Sequence, residues 1–324
     1  MTYVLRHRWK LFLLGNVAGY SVYSYMRDRE KCLQYGVSSS KLLALKFIPW
    51  NIMSRAAGYM ASLEVPIGLR GPIYGSYAWM FNCKLDEMHA PNLKVFRTFN
   101  DFFGRELKKG MRAIDNAEVV SPCDGKVLVT GKIEAVSADM TIDQIKGVSY
   151  PLKHLIGEKE IRALESQLSD DRALYYCSMY LSPGTYHRFH APVNRWNIQS
   201  VERVRGELFS VSPWFMRLVR EVSFLNERMI ASGSWRHGQM TMIPVGAANV
   251  GSILSSPHLK PGARLHQAEE VGRFNLGSMV ILVFTAPKTF EWKVDPGQEV
   301  KLGSALLSFN PSQGRSWWSW FSGK

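Results

Sequence analysis

The sequence predicts an α+β fold: a mainly β body behind an N-terminal helical layer, with a membrane-anchor segment at the start. Three observations carry this expectation. From Val119 onward the chain breaks into short β-type runs, among them "KVLVTGKIEAV", "ALYYCSMYL" and "MVILVFTAP", split by Gly, Pro, Asp and Asn. Residues 41 to 92 instead read as amphipathic helices interrupted by Pro49, Pro66 and Pro72. The first 31 residues hold an uncharged apolar stretch between clusters of Arg and Lys.

Taken in order, the elements are these. Leu11 to Met26 carries no charge, with Arg6, Arg8 and Lys10 before it and Arg27, Arg29 and Lys31 after it. It is short for a spanning helix, which needs about 20 apolar residues. A short anchor, a signal h-region and an Arg-rich organelle-targeting sequence all fit; the absence of a small-residue cleavage site weighs against secretion. Residues 32–118 form an amphipathic helical region in which Trp50, Met53, Tyr59 and Met60, flanked by Lys and Arg, suit lipid headgroups or plain packing on the core. Thr98 and Asp101 make a capping box ahead of Phe102 and Phe103. Residues 119–310 form the β-rich body, with a helix expected near 213–230. A tail, 311–324, holds "SWWSWF", whose rings favour a membrane interface.

Charge narrows the partners. The chain has 40 Lys and Arg against 27 Asp and Glu, a net +13. Nine of those cations and two of the acids fall in the first 60 residues, so +7 sits beside Leu, Tyr, Trp and Met. Basic and apolar together favour an anionic membrane over nucleic acid. The four cysteines show no CxxC spacing, which removes zinc ribbons and thioredoxin-type pairs. His187, His190, His237 and His258 follow no metal-ligand spacing, and no metal is expected.

Three stretches carry candidate chemistry. "SPCDGKV" places Asp124 in a turn; "YHRFHAPV" holds His187 and His190; "NLGSM" places Gly277 and Ser278 at the lip of the apolar run Val280 to Phe284. An acid, an imidazole and a hydroxyl are the ingredients for activating a weak nucleophile, although spacing alone cannot bring them together.

These stretches resemble the phosphatidylserine decarboxylase proenzymes, the pyruvoyl-dependent enzymes of bacteria and mitochondria. "FNDFFGRELKKGMRAID", "SPCDGKV", "YLSPGTYHRFHAPV", "GELFSV", "NVGSI" and "GRFNLGSMVILVF" fall in that family's order, covering roughly residues 45 to 310. The basic-flanked N-terminus is similar to the mitochondrial branch, which implies the inner membrane with the catalytic body toward the intermembrane space. The family's Leu-Gly-Ser-Thr reads Leu-Gly-Ser-Met here. Met279 offers no hydroxyl to a developing oxyanion, while its backbone N–H remains. "SPCDGKVLVTG" and "VDPGQEVKLGSALLSF" also look like the paired halves of lipoyl-type folds, so the β body is expected to resemble a barrel-sandwich hybrid.

The resemblance implies a mechanism. Ser278, deprotonated by His190 with Asp124 orienting the ring, attacks the Gly277 carbonyl. Elimination then leaves a β-chain, 1–277, and an α-chain, 278–324, that begins with a pyruvoyl group made from Ser278. That group is the cofactor and the Schiff-base centre for phosphatidylserine, and His187 protonates the carbon that loses CO2. A homodimer is allowed. An unprocessed lipid-binding homologue and a pyruvoyl decarboxylase of a soluble amino acid are the alternatives.

Overall fold

The computed structural model describes residues 50–133, 141–144, 148–212, 216, 222–247, 253–275 and 278–309. The expected anchor in 1–31, the aromatic tail 311–324 and Gly277 lie outside them.

The layer before the β body contains helices α1 (Trp50–Ser62), α2 (Ile67–Met80) and α3 (Phe99–Phe103), with a 3₁₀ turn at Leu93–Val95. Pro66 stands at the N-cap of α2, where a missing N–H costs nothing. Thr98 and Asp101 form the expected capping box at the start of α3, each side chain bonded to the other's backbone. Tyr74 stacks on Phe102 at 5.0 Å, and Tyr77 meets Phe99 edge-on at 4.9 Å, so aromatic pairs tie α2 to α3.

The body is antiparallel. An eight-stranded sheet runs in the order β11 (Arg264–Leu265), β7 (Trp196–Val204), β8 (Arg228–Trp235), β9 (Gly238–Val245), β13 (Ser278–Pro287), β5 (Arg172–Leu181), β2 (Gly125–Ile133), β15 (Glu299–Val300). Its two edges do not meet, so it is not a closed barrel. One three-stranded sheet joins β1 (Val119–Val120), β16 (Ala305–Phe309) and β14 (Phe290–Trp292). Another joins β10 (Ile253–Ser255), β12 (Glu270–Phe274) and β6 (Arg188–His190). The two lipoyl-like halves do meet: β15 pairs with β2, and β16 with β1. A small hairpin of β3 (Thr141–Gln144) and β4 (Val148–Pro151) forms a sheet of its own.

The central strand β13 explains its own sequence. Nine of its ten residues are buried, because the sheet is covered on both faces. Val280, Leu282 and Phe284 enter one core, shared with Phe189, Phe274, Leu306 and Leu307 of the small sheets. Met279, Ile281 and Val283 enter a second core, closed by helices α4 (Leu152–Ile156) and α5 (Glu158–Glu165) and by Phe224 of α6 (Val222–Leu225). The period-2 alternation of a strand sorts the side chains between the cores.

The expected helix near 213–230 needs correction. Helix α6 ends at Leu225, and β8 starts at Arg228. Just past the helix, the Asn226 side-chain amide donates to the Phe209 and Gly246 carbonyls, at 2.8 Å each, tying the start of β8 to those loops.

Candidate active site

Ser278 opens β13 opposite Leu181, the last residue of β5. It is wholly buried, and its Oγ has no hydrogen-bond partner among the described residues. Leaving such a hydroxyl unpaired costs about 1–3 kcal/mol, so an orphan at the head of a central strand asks for an explanation. Met279, 1% exposed, points with Ile281 and Val283 into the helix-side core. Ser278 shares the opposite face with Val280, so residue 279 directs its side chain away from the hydroxyl.

Both motif histidines are buried and held by carbonyls. His190 Nδ1 lies 2.9 Å from Ala268 O, and its Nε2 lies 3.0 Å from the Tyr186 hydroxyl. A carbonyl can only accept, so Nδ1 carries the hydrogen and Nε2 accepts from Tyr186. Burial lowers the His190 pKa, against the opposing pull of the Ala268 bond, Glu270 and Asp124. His187 is fixed in the same tautomer by Thr185 O, 2.9 Å from its Nδ1. Its ring centroid lies 4.0 Å from that of Phe103, and its Nε2 has no partner among the described residues. Burial drives its pKa down to about 3, only partly countered by the Thr185 bond, while nearby Arg105 adds to the fall. His187 is therefore a neutral imidazole whose Nε2 lone pair accepts no hydrogen bond from a described residue.

Asp124 does not hold the His190 ring, and the expected contact between them is corrected. Its Oδ1 accepts from Arg112 Nε at 3.0 Å and from Leu302 N at 2.9 Å, and its Oδ2 accepts from Arg112 Nη2. Both oxygens are thereby engaged, and the orienting acceptor for His190 is a backbone carbonyl. Asp124 reaches His190 only through space, favouring its charged form. Arg112 also pairs with buried Glu87, whose carboxyl it holds below the usual range despite burial.

Four groups here were missed by sequence reasoning: Tyr186, Arg105, Arg112 and the Ala268 carbonyl. The first three sit inside motifs that the sequence displays, whereas a backbone carbonyl leaves no mark on the sequence. His237 bonds Glu118 instead of joining the site, and no three His, Cys, Asp or Glu side chains converge among the described residues.

A cavity of about 540 Å³ is lined by Arg105, Asp124, Tyr180, Ser182, Thr185 and Tyr186 among others. Of the expected site residues Asp124 lines it, while Thr185 and Tyr186 are the hydrogen-bond partners of His187 and His190. Tyr180 and Ser182 flank Leu181, the cross-strand partner of Ser278. Gly125 and Gly184 shape its wall. A Cβ on Gly125 would stand 2.8 Å from Tyr180 O, and one on Gly184 would strike the Phe81 carbonyl. A larger hollow of about 970 Å³ between Asn116, Arg195, Trp235 and Phe309 contains none of the expected site residues, so chemistry selects the smaller one.

A family model described as phosphatidylserine decarboxylase matches residues 99–308. The mitochondrial phosphatidylserine decarboxylase proenzyme of Cricetulus griseus is 33% identical over 340 residues, covering 91% of this chain and 82% of the relative. That of Caenorhabditis elegans is 33% identical over 312 residues, covering 90% and 80%. The Schizosaccharomyces pombe proenzyme 1 is 31% identical over 410 residues, covering 95% and 92%.

Proposed function

The chain belongs to the phosphatidylserine decarboxylase family, and from that membership we infer a self-cleaving mitochondrial proenzyme whose mature form converts phosphatidylserine to phosphatidylethanolamine and CO2. The cut falls between Gly277 and Ser278, giving a β-chain 1–277 and an α-chain 278–324. The observation that carries this reading is the buried Ser278 hydroxyl at the head of β13, unpartnered among the described residues. It belongs to a chain whose two motif histidines both present Nε2 lone pairs.

In the cut, Ser278 Oγ attacks the Gly277 carbonyl as its proton passes to an imidazole, and the peptide C–N bond gives way to an ester. Loss of the α-proton then breaks the Ser278 Cβ–O bond and leaves a carboxylate on Gly277. Addition of water and loss of ammonia complete the pyruvoyl group. His190 is the base, its tautomer set by Ala268 and its imidazolium favoured by Asp124 through space. A specific observation favours a second reading, with His187 as the base: its Nε2 has no partner among the described residues, whereas that of His190 already accepts from Tyr186.

The site fits a small carbonyl group at position 278, since the hydroxyl it replaces makes no hydrogen bond to any described residue. Such a pyruvoyl group supplies an electrophile for the substrate amine and an electron sink as CO2 leaves. The chain's part is proton handling. A substrate ammonium must shed a proton before its nitrogen can attack. His187 Nε2, without a partner among the described residues, takes it when the anionic substrate headgroup beside the ring offsets the burial that otherwise keeps the imidazole neutral. The same imidazole can return that proton to the carbon that loses CO2.

The helical layer suits a lipid substrate. Met53, Tyr59, Met60, Ile67, Leu69 and Trp79 are exposed on α1 and α2, with Trp79 84% open. The charged side chain of α2, Arg70, turns inward to the Val65 and Lys94 carbonyls at 2.7 Å each. An apolar helical face of this kind rests on a bilayer. No described helix is long and apolar enough to cross one. We place the body on the inner membrane, facing the intermembrane space.

Single variants test the assignment. Ser278→Ala and His190→Ala should each leave one uncut chain, while His187→Ala should cut yet turn over about 10²–10⁴-fold more slowly, the usual worth of an acid–base group. If His187→Ala is the variant that fails to cut, the second reading replaces the first.

A further inference from the structure

We propose that Arg105 is the receptor for the phosphodiester of the lipid headgroup and sets the enzyme's demand for a phospholipid. The proposal rests on the decarboxylase reading above. Arg105 follows α3 and is 3% exposed, yet it has no carboxylate partner among the described residues. Its Nη2 donates to Gly184 O at 3.1 Å, and its guanidinium stacks 5.4 Å over Phe102 with the Cys83 thiol beside it. Nε and Nη1 are buried with no oxygen or nitrogen partner among the described residues, the Cys83 thiol being a weak acceptor at most. A buried cation with two idle donors is costly, because desolvation is not repaid, and a fork of that shape matches an oxyanion.

The surroundings favour an anion. Arg105 lines the 540 Å³ cavity beside Tyr186 and Thr185. Glu87 and Asp124, which also line it, are both taken by Arg112. Lys84 and Lys126 stand on the wall with Glu299 as the remaining acid, so the cavity keeps an excess of positive charge around Arg105. Arg105 also acts on His187 by charge, which places it close to the proton-handling group.

A phosphatidylserine headgroup offers two anions, and the chemistry chooses between them. The carboxylate leaves as neutral CO2, so a guanidinium on it would stabilise the ground state and slow the reaction. The phosphodiester keeps its charge throughout, so binding it is uniform and acts on KM.

The test uses the mature full-length enzyme on mixed micelles. Wild type should be inhibited by glycerophosphoethanolamine, which has the diester and no carboxylate, at least tenfold better than by ethanolamine. Arg105→Gln should still self-cleave. It should raise the KM for phosphatidylserine about 10- to 100-fold, as expected for a lost charge-assisted bond, with kcat within about threefold. It should also lose the glycerophosphoethanolamine inhibition, and Arg105→Lys should recover part of it.

Wild type inhibited no better by glycerophosphoethanolamine than by ethanolamine overturns the proposal without reference to any variant. So does an Arg105→Gln enzyme with low kcat and unchanged KM, which would put the residue on the carboxylate or on His187. Inorganic phosphate inhibiting as well as glycerophosphoethanolamine would make this a free-phosphate site and overturn it too. A wild-type chain that cuts but does not decarboxylate phosphatidylserine would instead sink the reading beneath it.

Discussion

Acid should unfold the uncut chain through His187, and the size of the effect follows from its burial. Its pKa is about 3 in the folded protein against 6.5 when free. Between those values the unfolded chain binds a proton that the folded chain refuses. Stability therefore falls as pH drops below about 6.5, by up to about 1.4 kcal/mol per pH unit for this one group. At pH 5 the loss is RT ln(1 + 10^1.5), about 2 kcal/mol, a sizeable part of the 5–15 kcal/mol that holds a typical domain. Burial also lowers the pKa of His190, so a second proton adds to the slope in the same direction. The assay is urea unfolding of the uncut Ser278→Ala chain from pH 7.5 to 4.5, beside the same chain carrying His187→Gln. Their difference in stability should be constant above pH 6.5 and should shift by about 2 kcal/mol by pH 5 in favour of the Gln variant. A difference that stays constant to pH 4.5 would show that His187 titrates normally in the folded chain, and the buried neutral imidazole would be refuted.

Other outcomes follow from single contacts. Arg112→Met leaves Glu87 with Lys301 and Asp124 with the Leu302 N–H but removes the buried cation between them, and should cost about 3 kcal/mol in denaturant unfolding. Gly125→Ala forces β2 off β5 at Tyr180 O and should cost more than about 1 kcal/mol by the same measurement. Met279→Thr should leave the rate of self-cleavage within about twofold on a gel time course, because this side chain faces the helix-side core. Leu69→Glu with Trp79→Glu should weaken flotation with anionic vesicles about tenfold or more while the chain still cuts, both side chains being exposed.

Some of this architecture is legible in the sequence, and the reasons are physical. The run from Val280 to Phe284 announces a strand because both of its faces are buried, so no polar alternation interrupts it. The capping box at Thr98 is local, and local patterns survive folding unchanged. Helices α4 and α5 escaped notice because they are five and eight residues long, with Gly157 at a φ of 86° between them. The site divides the same way. Asp124, His187, His190 and Ser278 stand in recognisable motifs, but their partners do not. The Ala268 carbonyl that orients His190 lies 78 residues away and carries no side-chain signal. Arg112 reads as one more cation in "KKGMR" until the fold brings Asp124 and Glu87 to it. The family resemblance implies an Asp–His relay, and the fold shows that an arginine holds the acid.

The most direct test of the central claim is the intact mass of the purified chain. We expect two polypeptides split after Gly277, the shorter being the 47 residues from position 278 onward and lighter by one ammonia than a serine-started peptide. A single full-length species that persists through prolonged incubation, with Ser278 unaltered, would contradict it.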